Sequence, residues 1–217
     1  QPGKSVLDMG CGNGILTLPM ARAKHQVIAA DFSDAMLESL TKRVQDEGLS
    51  TVTVKKLDWD EDWLAAGMQP KSLDIALASR SIMVRDLYDA IEKLSMVARD
   101  RVCVTMATSL GPRSLTEIVQ YIGRSTDITP DYIYGFNLLH QMGYYPEVRY
   151  IDSLKQDHFD HREQAFAYFK ENIGDLDPSE ERLLEEYLEQ HLVEDASDSS
   201  FHMDYQRLVR WAFLAWE

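Results

Sequence analysis

The chain has 217 residues, of which 45% are hydrophobic, 10% aromatic and 27% charged. This composition excludes a disordered chain, and no run of about 18 apolar residues predicts a membrane span. Two cysteines are too few for a disulfide framework or a structural zinc site, so we expect a cytoplasmic protein that holds no metal. The first residues contain no apolar stretch typical of a signal peptide.

Charge is distributed unevenly along the chain. There are 22 Lys and Arg residues against 36 Asp and Glu residues, which gives a net charge of −14. Residues 151–217 hold 6 basic and 17 acidic residues, so 11 of those net negative charges lie in the last third of the chain. Proteins bind nucleic acids by neutralising phosphates with Lys and Arg. The net charge therefore argues against a nucleic-acid substrate, although a chain of this net charge could still contain a local basic pocket.

Short apolar runs alternate with helical patterns over the first 110 residues, which predicts a parallel sheet covered by helices on both faces. The predicted strands are Ser5–Met9, Gln26–Ala30, Thr51–Leu57, Leu73–Ala78 and Arg101–Met106. The predicted helices are Ile15–Ala23, Asp34–Glu47, Asp60–Ala66 and Asp86–Ala98.

The pattern changes after residue 110, where helices dominate. They are predicted over Ser114–Gly123, Tyr132–Met142, His158–Asn172 and Pro178–Val193. Two further strands are predicted, over Tyr144–Asp152 and about Leu208–Trp216.

A glycine-rich loop joins the first predicted strand to the first helix, with Gly10, Gly12 and Gly14 following Asp8. Glycines there allow positive φ and a close ligand approach, and the free N–H groups at a helix start favour a negatively charged group. Asp31 follows the next strand, 21 residues after Gly10, where a carboxylate can hold two ribose hydroxyls. This spacing indicates a nucleoside-bearing cofactor without deciding which one.

The positions of the glycines separate the candidate cofactors. A dinucleotide fingerprint anchored on Gly10 and Gly12 would need a third glycine at position 15, where Ile15 stands. The pattern D-x-G-x-G-x-G instead resembles motif I of the class I S-adenosylmethionine-dependent methyltransferases. Three later segments resemble that family's motifs in the same order; they are Asp31–Leu37, Asp58-Trp59 and Leu73–Ser79.

This resemblance covers about residues 5–110 and implies a fold. The expected architecture is α/β, a doubly wound, Rossmann-like sheet of seven mostly parallel strands with the last one antiparallel. Residues 1–152 would form the cofactor-binding core and residues 153–207 an acidic helical insertion. Residues 208–217 would be the final strand that completes the core.

The same resemblance implies which residues bind S-adenosylmethionine, with S-adenosylhomocysteine as the product. Gly10, Gly12 and Gly14 would pack against its methionine and ribose portions. Asp8 would support the loop and reach the ammonium group through water, while Asp31 would bind the ribose hydroxyls.

The remaining cofactor contacts come from three segments later in the chain. Met36 would pack on the adenine ring, and Phe32 would line it. Asp58 would accept a hydrogen bond from the adenine amino group, and the Trp59 backbone would reach a ring nitrogen. Ser79 would offer its backbone carbonyl near the methionine end.

The acceptor side is less defined. Arg80, Arg85 and Arg113 could pair with an anionic substrate or be ordinary surface arginines, and His140 is a candidate base. Six of the ten tyrosines, Tyr134 among them, could wall an aromatic pocket or simply pack helices on the sheet. These six are Tyr121, Tyr132, Tyr134, Tyr144, Tyr145 and Tyr150.

The resulting functional expectation is methyl transfer from S-adenosylmethionine to a small-molecule acceptor. The alternatives are an NAD(P)-dependent oxidoreductase and a non-catalytic cofactor-binding subunit that docks a basic partner through the acidic C-terminal lobe. Aminopropyl transfer on the same fold is a third, minor alternative. The sequence leaves the oligomeric state open.

Overall fold

The computed structural model describes residues 3–112, 114–125 and 132–217. The chain divides into two compact units, and three of the boundaries between them fall inside strands. The first unit contains residues 1–106, 131–150 and 212–217, and the second contains residues 107–130 and 151–211. No helix among the described residues reaches the length and apolarity needed to cross a bilayer.

Seven strands form one sheet in the order β3-β2-β1-β4-β5-β10-β6, and the first five of them are all parallel neighbours. Their bounds are β1 Ser5–Met9, β2 Gln26–Asp31, β3 Val52–Lys56, β4 Leu73–Ser79, β5 Ala98–Ala107, β6 Glu147–Lys155 and β10 Arg207–Trp216. This architecture confirms the predicted doubly wound, mostly parallel seven-stranded α/β sheet. The strand order reverses at β1, where β2 pairs on one side and β4 on the other.

Four helices belong to the first unit and follow the strands as predicted. They are α1 Thr17–Arg22, α2 Asp34–Asp46, α3 Leu87–Val97 and α5 Tyr132–Gln141. The α2 helix shows why the sequence folds this way locally. Ser33 caps its first turn, Leu37 and Leu40 bury one stripe of its surface, and Gly48 takes a positive φ just after its end.

The second unit contains α4 Thr116–Tyr121, α6 Arg162–Ile173 and α7 Pro178–His191. The α7 helix begins with a full capping box, in which Asp177 and Glu180 each accept from the other's backbone N–H. A small antiparallel sheet completes the unit. Its three strands, in the order β7-β9-β8, are β7 His158–Phe159, β8 Leu192–Glu194 and β9 Phe201–Met203.

One predicted helix is wrong, and another begins later than predicted. The helix predicted over Asp60–Ala66 is only a single turn. The Asp62 carboxylate caps this turn by accepting from the N–H groups of Leu64 and Ala65, and Gly67, with a φ of 86°, ends it. The helix predicted from His158 begins only at Arg162, since His158 and Phe159 pair with β9 instead. Strands of two or three residues are too short to show an alternating pattern in sequence.

Candidate functional site

The glycine loop lies at the carboxyl end of β1, beside the end of β2. Gly10, Gly12 and Gly14 have φ values of 73°, 53° and 90°, which side-chain-bearing residues rarely adopt. Two N–H groups of the loop, from Gly10 and Cys11, donate to the Ala30 carbonyl at 2.7 and 3.0 Å. The last strand residues of β2 therefore hold the loop in place.

A glycine is needed at each of these three positions for a different reason. A Cβ on Gly10 would lie 2.2 Å from the Cβ of Ser81, and one on Gly14 would lie 2.4 Å from Cδ1 of the fully buried Leu40. A Cβ on Gly12 would meet nothing within 4 Å. Gly10 and Gly14 thus serve packing within the protein, and Gly12 is the one that presents bare backbone to open space.

Two buried carboxylates flank this loop. Asp31, only 6% exposed, accepts from the N–H of Gly12 at 2.8 Å and from that of Ser33 at 3.0 Å. Asp8, 2% exposed, accepts from the Thr17 hydroxyl at 2.6 Å. Burial raises the pKa of Asp8 above its ordinary value, the Thr17 hydrogen bond opposes this shift, and the negative charge of Asp31 adds to it. The site is therefore electronegative, which suits a cationic ligand group.

Large apolar side chains stand exposed directly after Asp31. Phe32 is 64% exposed, and Met36, in the first turn of α2, is 46% exposed. Leu37 and Leu40 lie on the other face of α2 and are buried in the core. Met36 is exposed, so it does not belong to this buried stripe. An exposed ring and thioether beside a buried carboxylate suit a flat, partly apolar ligand.

Asp58 and Trp59 follow β3 in a tight, well-bonded turn. The Asp58 carboxylate accepts from the Asp60 N–H at 3.1 Å, and its backbone carbonyl accepts from Nε1 of Trp63 at 3.0 Å. The Trp59 ring is buried with its centroid 5.5 Å from that of Trp63, and its carbonyl accepts from the Lys93 ammonium at 2.6 Å. These contacts fix the turn while the Asp58 side chain stays partly exposed.

Ser79 ends β4, next to β1 in the sheet, and so lies at the same carboxyl edge as the glycine loop. Its hydroxyl is 3.1 Å from that of Thr105 on β5. In parallel sheets of this kind, ligands bind at the carboxyl edge where the strand order reverses. The first unit therefore brings the glycine loop, Asp8, Asp31 and Ser79 to one edge, as the motif spacing predicts.

Comparison with known proteins agrees with this geometry. Residues 6–101 match the model of a methyltransferase domain family. The chain is 36% identical over 154 residues to an uncharacterised protein of Haemophilus influenzae, covering 70% of this chain and 55% of that protein. This chain thus spans about half the length of that curated relative.

Two solved structures share the fold. One is the YcgJ protein of Bacillus subtilis, with a TM-score of 0.60 and 13% identity over 100% of this chain and 93% of that one. The other is a SAM-dependent methyltransferase of Aquifex aeolicus, with a TM-score of 0.53 and 17% identity over 70% of this chain and 77% of that one.

Residues 6–101 therefore belong to a methyltransferase domain family, and the chain shares its fold with an S-adenosylmethionine-dependent methyltransferase. The family match lies within the first unit, which holds all ten predicted cofactor residues.

The candidate residues for the acceptor side do not all lie at one edge of the sheet. Tyr134 is 59% exposed and precedes Gly135. An added Cβ on Gly135 would be 2.5 Å from Sδ of Met106, so this part of α5 lies near the carboxyl end of β5. His140, two turns further along α5, packs its ring on Tyr145 at 5.4 Å between centroids.

The far end of α5 lies away from the glycine loop. Tyr145 lines a recess of about 390 Å³ together with Arg101, which belongs to the first half of β5. The structure therefore places His140 toward the amino end of the parallel strands and Tyr134 toward the carboxyl end. A base at His140 would be at the wrong edge for a reaction beside Gly12.

Arg80 and Arg85 are exposed in the segment that follows β4, at the carboxyl edge. Arg113 lies outside the described residues. The six tyrosines are divided between the two units. Tyr121 packs edge-on against Tyr187 in the second unit, whereas Tyr144 packs on Trp216 in the first.

The structure adds site residues that the sequence did not indicate. Thr17 is fully buried and bonds Asp8, nine positions earlier in the chain. Ser81 donates to the Met9 carbonyl at 2.6 Å, and Thr105 bonds the turn after β4. Single hydroxyls carry no periodicity or motif, so only the tertiary structure reveals these contacts. Among the described residues, no group of three or more His, Cys, Asp or Glu side chains is arranged to hold a metal ion.

Proposed function

We propose that this methyltransferase transfers the methyl group of S-adenosylmethionine to a small-molecule acceptor, at the carboxyl edge of the first unit. The observation that carries the proposal is the open face of Gly12, where a Cβ would meet nothing within 4 Å while its N–H is held by Asp31. Bare backbone beside a buried carboxylate is what close approach of a nucleoside-bearing ligand requires.

The residues around Gly12 fit the chemical groups of this cofactor. The Asp31 carboxylate uses one lone pair on each oxygen for backbone N–H groups, so further lone pairs remain for the two ribose hydroxyls. Phe32 and Met36 offer apolar surface for adenine, and Asp58 and the Trp59 backbone would bind its polar edge. The exposed part of the Asp58 side chain leaves it able to accept from the adenine amino group.

The other end of the site fits a cation. S-adenosylmethionine supplies an electrophilic methyl carbon on a positively charged sulfonium, and it also carries an ammonium group. Asp8 brings negative charge to the base of the loop, and the Ser79 carbonyl provides a neutral acceptor at the same edge. Methyl transfer is an in-line displacement, so holding the acceptor atom about 3 Å from the carbon and excluding water supply much of the catalysis.

The chain's role toward the acceptor is to bind and orient it. Arg80, Arg85 and Tyr134 lie at or toward the carboxyl edge, and Arg80 and Arg85 could pair with an anionic group. A base is needed only if the accepting atom is protonated at the working pH. The net charge of −14 supports a small molecule over a nucleic acid, because a polyphosphate backbone would be repelled.

Calorimetric titration of the purified chain with S-adenosylmethionine and with S-adenosylhomocysteine tests the cofactor directly. We expect heat of binding with both and none with NADH or NADPH. Release of S-adenosylhomocysteine in the presence of a panel of small acids, amines and phenols then tests the acceptor class. Absence of binding to either adenosyl compound would overturn the proposal. Binding without turnover on any panel, together with a salt-sensitive complex with a basic protein, would favour the non-catalytic subunit.

A further inference from the structure

The backbone takes an unusual conformation immediately after β4. Arg80 has a φ of +61°, the left-handed region that a long side chain rarely adopts. Such a conformation persists only where surrounding contacts hold it, and it is found most often at functional sites. Here it lies at the edge of the sheet that carries the glycine loop.

Thr105, on the neighbouring strand β5, bonds the backbone of Arg80 in this conformation. Thr105 is 7% exposed, and its hydroxyl accepts from the Arg80 N–H at 2.9 Å, while its carbonyl accepts from the same N–H at 3.3 Å. The same hydroxyl lies 3.1 Å from that of Ser79, its register partner across the β4–β5 pair. Thr105 thus bonds both residues that set the direction of the chain as it leaves β4.

The turn is also fixed on its other side. Ser81 donates to the Met9 carbonyl at 2.6 Å, and its Cβ occupies the space that a side chain on Gly10 would need. Residues Ser79–Ser81 therefore bridge from β5 to the glycine loop. Any rotation of a peptide plane within this turn would change what the turn presents beside Gly12.

We propose that Thr105 is a positioning residue for cofactor binding, an inference that rests on the proposed function. The peptide plane between Ser79 and Arg80 rotates with the φ of Arg80, so the Ser79 carbonyl points in one direction only while Arg80 stays left-handed. The Thr105 hydroxyl keeps it there and so directs that carbonyl toward the cofactor's ammonium group. In this role Thr105 acts through Ser79 and Arg80 and not by contacting the cofactor.

Two substitutions at position 105 separate the hydroxyl from the shape of the side chain. Thr105→Val keeps the β-branched shape, and Thr105→Ser keeps the hydroxyl. We expect Thr105→Val to weaken S-adenosylmethionine binding in calorimetry by about three- to tenfold, the usual contribution of one hydrogen bond. Thr105→Ser should stay within about twofold of the unmodified chain. Thermal unfolding of each variant checks that the fold is kept.

Substitutions at position 80 test whether the effect passes through the left-handed conformation. Glycine adopts it without help, so Thr105→Val should cost little affinity in an Arg80→Gly background. In an Arg80→Ala background the strain remains and the arginine side chain is gone, so Thr105→Val should cost as much as in the unmodified chain. This double-mutant cycle measures a coupling that a purely structural threonine would not produce.

Each outcome is decisive. Unchanged affinity in Thr105→Val, or an equal loss in the Arg80→Gly and Arg80→Ala backgrounds, would overturn the positioning role while leaving the proposed function intact. Failure of the unmodified chain to bind either S-adenosylmethionine or S-adenosylhomocysteine would overturn the proposed function, and the positioning role with it.

Discussion

The carboxylate of Asp31 accepts a hydrogen bond from the backbone N–H of Gly12, with Oδ2 and N 2.8 Å apart. Its other oxygen accepts from the Ser33 N–H at 3.0 Å, at the cap of α2. One side chain at the end of β2 therefore organises both the glycine loop and the start of the next helix. It would contribute to ligand binding twice, once through this organisation and once through its remaining lone pairs.

Asp31→Asn should weaken S-adenosylhomocysteine binding by about 10- to 100-fold, because it removes a charged hydrogen-bond acceptor from the site. The amide keeps one acceptor oxygen for one of the two backbone N–H groups, so the loop loses less order than in Asp31→Ala. Calorimetric titration gives the affinities, and thermal unfolding compares the stability of the two variants.

Asp34→Asn is the matched control. Asp34 lies three residues further on, is exposed, and pairs with the Lys56 ammonium at 2.6 Å. Its substitution removes the same formal charge without touching the loop, and we expect the affinity to change by less than about twofold. An equal loss in both variants would contradict the role of Asp31, since it would point to net charge alone.

Substitutions of two loop glycines should give opposite results. Gly12→Ala places its methyl group in open space, so we expect it to reduce cofactor affinity more than stability. Gly14→Ala drives its methyl group against the buried Leu40, so we expect it to lower the free energy of unfolding by about 1–3 kcal/mol more than Gly12→Ala does. Both positions have positive φ, so the backbone strain of an alanine is a shared cost.

Urea unfolding and calorimetric titration of the same two variants measure these effects separately. The contrast fails if Gly14→Ala is the more stable variant, or if Gly12→Ala binds S-adenosylhomocysteine as tightly as the unmodified chain. The latter result would mean that the open face of Gly12 is not the ligand's place of approach.

The sequence indicates the candidate cofactor site because the positions of the loop glycines and of the acid after β2 depend on backbone conformation. Glycines at 10, 12 and 14 and an acid after the next strand are needed wherever a chain turns sharply beside a nucleoside, so their spacing is visible without a structure. The sequence could not distinguish the three glycines from one another. Their different neighbours, Ser81, Leu40 and open space, come from distant parts of the chain.

The second half of the chain was harder to predict for two physical reasons. The β7–β9 strands are two and three residues long, and so show no periodicity. The placement of His140 at the far end of α5 depends on which way that helix runs along β5, which composition does not encode.

Asp8→Asn should change how stability depends on pH. Burial raises the pKa of Asp8 above its ordinary value of 3.8, so ionising this group is more costly in the folded state than in the unfolded chain. The contribution of Asp8 to the free energy of unfolding is therefore complete at pH values below 3.8, and it is lost as the pH rises through the higher pKa of the folded state. Asp8→Asn should therefore gain stability relative to the unmodified chain between about pH 4 and pH 7.

Thr17→Val gives the complementary test. The Thr17 hydroxyl donates to Asp8 and opposes the upward shift of its pKa, so its loss should destabilise the protein more at about pH 7 than at about pH 4. Urea unfolding at the two pH values measures both variants. Parallel pH dependence in Asp8→Asn and the unmodified chain would contradict the buried, ionisable role of Asp8.

The second unit contains a buried ion pair whose loss should be costly. Asp157 accepts from Nε of Arg207 at 2.9 Å and pairs with Lys155 at 2.6 Å, and Arg207 also donates to the Pro112 carbonyl at 2.7 Å. Burial raises the pKa of Asp157, but the bonds from Arg207 and Lys155 outweigh this and leave its pKa below the usual range. Asp157→Asn should lower the free energy of unfolding by about 3 kcal/mol, because it leaves a buried guanidinium without its counter-charge.

The control for this pair lies in the same strand as Arg207. Arg210 and Asp152 form an ion pair with two hydrogen bonds of 2.7 Å each. Their side chains are 35% and 43% exposed, so water screens this pair. Asp152→Asn should therefore cost less than about 1 kcal/mol in urea unfolding. The deficit of Asp157→Asn should also shrink as the pH falls through the lowered pKa, since protonation then neutralises the carboxylate of the unmodified chain as well. Equal costs for the two substitutions would show that burial does not govern the strength of the Asp157–Arg207 pair.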